Sequence, residues 1–97
     1  MYIIRNTMYA KPGSGRALVE KLKTAAPHFE AMGVMRARVL TDAVARTWTI
    51  VMELEVDSVS VYFDILEGRS KSPELGEAMK GYTELVTGGK REIFRVA

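Results

Sequence analysis

The chain has 97 residues, 47% hydrophobic and 27% charged, ordinary for a globular protein and within the size range of a single domain spanning residues 1–97. Fourteen Lys and Arg against twelve Asp and Glu leave a net charge of +2, and the basic residues are spread among acidic ones rather than clustered, which argues against a nucleic-acid partner. There is no cysteine, which excludes disulfides, thiolate catalysis and cysteine-ligated metal centres, and no apolar run is long enough for a membrane span or a leader, so a soluble cytoplasmic protein is expected.

Tyr2 to Lys11 reads as a strand. Tyr2, Ile3, Ile4, Thr7 and Tyr9 favour extended backbone, and Pro12-Gly13-Ser14-Gly15 ends it as a turn. A helix is predicted from Arg16 to Gly33, where Leu18, Leu22, Ala25, Phe29 and Met32 recur at helical spacing. Pro27 lacks a backbone donor and crowds the preceding turn, so a kink or restart is expected there. Val34 to Thr41 is a second strand, alternating Met35, Ala37 and Val39 with Arg36 and Arg38. A short connection through Asp42–Ala45 makes the next strand its hairpin partner. That strand puts Trp48, Ile50, Met52, Leu54 and Val56 on one face and Thr47, Thr49, Val51, Glu53 and Glu55 on the other.

Asp57 or Ser58 can cap a following helix whose inner face is read as Val59, Phe63 and Leu66. Gly68-Arg69-Ser70-Lys71 breaks it, and Ser72-Pro73-Glu74 restarts it with an N-cap, a proline at the first position and an acid at the positive end. Leu75, Met79, Tyr82 and Val86 form its apolar stripe, Gly88-Gly89 is taken as its stop, and Arg91 to Val96 as the last strand. The order β-α-β-β-α-β predicts an α+β, ferredoxin-like fold with one antiparallel sheet, both helical regions on the same face. The opposite face then needs cover from outside the chain.

Chemistry-bearing residues are few. His28, the only histidine, stands beside Pro27 and is either a base or a surface residue; alone it makes no metal site. Trp48, Phe63 and Tyr82, with Met8, Met52 and Met79, have the spacing of a core and also suit a pocket for a flat apolar molecule. Asn6 is a polar residue on the otherwise apolar face of Tyr2, Ile4 and Met8, and either contacts a ligand or bonds locally. Ile3, Arg5, Val51, Glu53 and Glu55, with Ile93, are assigned to the uncovered sheet face, where Arg5 and Glu53 become cross-strand neighbours if their strands are central. Pro12-Gly13-Ser14-Gly15 fits neither the dinucleotide nor the P-loop spacing and stays a turn.

Through Lys11-Pro12-Gly13, the Trp48–Val56 strand, Ser72-Pro73-Glu74-Leu75 and Gly89-Lys90-Arg91-Glu92-Ile93-Phe94, the chain resembles the dimeric α/β-barrel superfamily over nearly its whole length. That superfamily includes antibiotic-biosynthesis-type monooxygenases and NIPSNAP-like proteins. The resemblance implies a homodimer whose two sheets face each other and, in the enzymes, a small pocket between sheet and helices that works without metal or organic cofactor. It implies a substrate or oxygen contact near Asn6. The enzymes pair that asparagine with a tryptophan in the second helical region, and haem-degrading relatives add a histidine ligand. Here Ile65 and Leu66 occupy that region and no histidine follows His28, so haem is not expected. Two activities follow: a monooxygenase- or isomerase-like enzyme on a small hydrophobic or aromatic substrate, with Asn6, His28, Trp48, Phe63 and Tyr82 as candidate contacts, or a non-catalytic ligand-binding or accessory protein of the NIPSNAP-like type.

Overall fold

The alternation along the strands and the helical spacing of Leu18, Leu22 and Ala25 dictate two apolar surfaces that can only be satisfied by each other. A computed structural model describing all 97 residues has them packed in this way. The elements are β1 (Tyr2–Ala10), α1 (Gly15–Ala31), β2 (Arg36–Thr41), β3 (Thr49–Val56), α2 (Val59–Leu66), α3 (Pro73–Met79), a 3₁₀ turn at Tyr82–Leu85, and β4 (Val86–Arg95). The four strands pair antiparallel in the order β2-β3-β1-β4, the ferredoxin-like arrangement expected, with β1 and β3 central. Ile4, Leu18, Leu22, Leu54 and Val56 are fully buried between sheet and helices, each worth roughly 1.5–3 kcal/mol in removal from water. No helix is long and apolar enough to cross a membrane.

The second helical region is broken where Gly68 adopts φ +77, and Ser72 caps α3 by accepting from the Leu75 amide at 3.0 Å, with Pro73 at the first position. Glu74 in that first turn is held below the ordinary carboxylate range, first by its own backbone N–H and then by the Ser72 hydroxyl. These are the breaks and caps read from the sequence.

Five local expectations change. α1 runs through Pro27 without a restart, because Pro27 and Lys23 are both exposed and water can serve the carbonyl that the proline leaves unpaired. Gly81, at φ +81, already ends α3, so Gly88 and Gly89 lie inside β4 opposite Tyr9 and Met8 rather than closing a helix. A Cβ at Gly89 would overlap the Thr7 carbonyl oxygen, so only glycine permits this approach of β4 to β1. Trp48 lies just before β3, at φ +66, instead of within the strand, and its ring covers Gly15 beside the Ile50 side chain. α2 turns Tyr62 inward, with Val61 and Ile65 against the core, whereas Phe63 and Leu66 are 40% and 45% exposed. Last, the register sets Ile93 opposite Ile4 on the helix side; Phe94, opposite Ile3, takes the place on the open face assigned to Ile93.

Candidate functional site

Asn6 sits in the middle of β1 on the helix side, at the register position of Met52 on β3 and Arg91 on β4. Its Nδ2 donates to the Tyr62 hydroxyl at 3.2 Å, and its Oδ1 accepts from Arg91 Nε at 2.8 Å. Arginine can only donate, so the contact with Arg91 fixes which way the amide points: oxygen toward β4, nitrogen toward α2. The Arg91 guanidinium also lies 5.3 Å from the centre of the Tyr62 ring. Three elements are thus tied together by one amide. Tyr62, only 2% exposed, is held in place by α2, whose N-cap Ser58 accepts from the Ser60 amide.

Beside this network an open cavity of about 710 Å³ lies between the helix side of the sheet and the helices. Its lining is mainly apolar, with Met8 and Met52 from the sheet, Leu22 and Phe29 from α1, and Leu75 and Met79 from α3. Asn6, Tyr62, Tyr82 and Arg91 supply polar atoms, Ser70, Lys71 and Ser72 come from the link between α2 and α3, and no His, Asp or Glu takes part. An apolar body with one polar end fits such a lining.

Of the residues singled out from the sequence, Asn6, Tyr82 and the methionines Met8, Met52 and Met79 border this cavity. His28 lies instead in a surface groove between α1 and α3 with Glu74 and Glu77. Trp48 edges a separate hollow near Gly15 and Thr41, and Phe63 faces outward. Sequence reasoning missed Tyr62 and Arg91. Arg91 had a signal: if β4 pairs with β1, an arginine on the helix side has no apolar reason to be there.

The opposite face carries a second polar cluster. Glu53 on β3 is 5% exposed although nothing but its neighbours covers it. Arg38 on β2 reaches its Oε1 at 2.7 and 3.1 Å, and Arg5 on β1 reaches its Oε2 at 2.8 and 3.0 Å. Burial disfavours the charged carboxylate, but the hydrogen bonds from Arg38 and then Arg5, with their positive charges, outweigh it and hold Glu53 below its ordinary value. Arg5 also stacks over Phe94 at 5.1 Å. Ile3, Val51 and Glu55 complete this face, with Phe94 44% exposed.

No protein-family model matches the sequence, and no curated protein matches it. Solved structures do match. A candidate antibiotic biosynthesis monooxygenase from Nitrosomonas europaea has a TM-score of 0.80 at 14% identity, covering 99% of this chain and 98% of its own. Another from Chloroflexus aurantiacus has 0.78 at 20% identity, covering 99% and 93%. An uncharacterized NIPSNAP domain protein from Burkholderia xenovorans has 0.78 at 12%, covering 100% and 95%. The fold is therefore that of the antibiotic-biosynthesis-monooxygenase-type and NIPSNAP-domain structures, end to end. At these identities the likeness is one of fold.

Proposed function

We propose that this chain is a monooxygenase-like enzyme that works without a cofactor on a small apolar or aromatic molecule held in the Asn6 cavity, as a homodimer paired through the open sheet face. The observation that carries the reading is the cavity itself: about 710 Å³ between sheet and helices, within the range of small-molecule sites, with polar groups gathered around Asn6. The shared fold with candidate monooxygenases supports the choice of chemistry by analogy. An electron-rich hydroxyaromatic can itself reduce dioxygen, one oxygen atom entering the product and the other leaving as water. An isomerase reading is weaker, because moving a proton needs a base and no carboxylate or imidazole lines the cavity.

Oxygen uptake with a panel of polycyclic hydroxyaromatics tests this. Uptake that depends on the protein and falls at least tenfold in Asn6→Ala supports it; binding without uptake overturns the enzyme and leaves the alternative, a non-catalytic ligand-binding protein of the NIPSNAP-like kind. The same lack of a carboxylate or imidazole favours that alternative. The homodimer rests on the open face, where Ile3, Val51 and Phe94 lie among the charges with no helix over them. Two such faces related by a two-fold axis would cover each other. Sedimentation equilibrium at micromolar concentration decides the pairing, and a clean monomer refutes it.

A further inference from the structure

Building on the reading of the cavity as a ligand site, we infer that Arg91 is its anion anchor, and that the ligand is an apolar or aromatic body carrying one carboxylate and arriving already ionised. Arg5, Arg36, Arg38 and Arg69 each pair with a carboxylate of the chain, but Arg91 does not, and it is the arginine that borders the cavity. Its one side-chain hydrogen bond runs from Nε to Asn6 Oδ1, which fixes the guanidinium while leaving both terminal nitrogens to donate elsewhere. The Tyr62 ring at 5.3 Å supports the group further. A fork of two parallel donors matches a carboxylate better than any neutral oxygen.

The rest of the lining agrees. No Asp or Glu is present to repel an anion, and Lys71 adds a second positive charge from the link between α2 and α3. Lys90 adds none, because its side chain, one residue before Arg91, falls on the other face of the sheet with Glu92, 3.7 Å from its ammonium. The lining holds no carboxylate or imidazole, the groups that most often take up a proton from a bound acid. A ligand bound as an anion must therefore bring its charge with it. Asn6 is then a positioning residue for Arg91 as well as a part of the cavity wall.

Calorimetric titration at neutral pH with 2-naphthoate and with 2-naphthylmethanol, which share a ring system and differ in charge, tests the assignment. The carboxylate should bind at least tenfold more tightly, a difference of about 1.4 kcal/mol. Arg91→Gln should erase that preference without weakening the alcohol, and Arg91→Lys should restore part of it. Added salt should weaken naphthoate alone on the unmodified protein, a readout that does not depend on any variant folding. Equal binding of the two probes, or a carboxylate preference that survives in Arg91→Gln, overturns the anion anchor while the cavity reading stands. If neither probe binds, the cavity reading falls and the anchor with it.

Discussion

Leu54 and Glu53 are adjacent on β3 and point to opposite sides of the sheet, and both are almost completely buried, at 0% and 5% exposure. Leu54 is covered by helices. Glu53 is covered by the arginines that neutralise it, from the strands on either side. The helix side has a deep apolar core interrupted at one place by Asn6, whereas the open side is a thin charged layer that seals itself across three strands. Burial on one side comes from area removed from water; on the other it is a by-product of ion pairing, and the two should respond differently to substitution and to pH.

The largest difference is expected between those two neighbours. Leu54→Ala should cost about 2–5 kcal/mol in denaturant unfolding, because a fully buried branched side chain leaves a cavity. Glu53→Gln should cost less, about 1–3 kcal/mol: a buried pair loses its charge, but the Arg5 and Arg38 side chains are 42% and 43% exposed and water can take over part of the loss. The pH dependence sharpens the contrast. Glu53 has its folded pKa below the unfolded value of 4.5, so its contribution is complete above that value and disappears as pH falls through the lower, folded one. Unfolding curves at successive pH values should show the cost of Glu53→Gln vanishing in acid and that of Leu54→Ala persisting. Equal pH profiles would break the comparison.

A smaller effect is expected at the polar interruption of the core. Asn6→Ala leaves the buried Tyr62 hydroxyl and Arg91 Nε without a protein partner, and should lower stability by about 1 kcal/mol. Thermal melts with and without 2-naphthoate divide its two roles. A loss of stability with unchanged stabilisation by the ligand would make Asn6 scaffold alone.

Much of the fold was legible because it rests on local signals. The alternation from Ile50 to Val56, the Pro12-Gly13 turn and the Ser72-Pro73 cap each act within a few residues, and each holds. The pairing of Arg5 with Glu53 was equally accessible, since it follows from strand order. The site was less so. Whether α2 turns Phe63 or Tyr62 inward depends on a partner for the phenol, and that partner, Asn6, is 56 positions away in the chain. Periodicity alone permits either stripe. Arg91 stood inside the expected last strand, but its face depends on the register of β4 against β1, and an Ile93 assigned to the open face carries Arg91, two residues earlier, there with it. Trp48 was counted into the strand because an aromatic residue just before it, even at left-handed φ, continues the strand's own pattern.

The break at Gly68 leaves α2 and α3 with eight and seven residues, whereas α1 has seventeen. Helices that short have little stability of their own and depend on docking. α3 buries no residue completely, and α2 buries only Tyr62. The roof of the cavity is thus its least cooperative part, able to lift in pieces while β1, β3 and α1 stay closed. A ligand larger than the mouth can be admitted by such local opening, at a free-energy cost well below that of unfolding the domain.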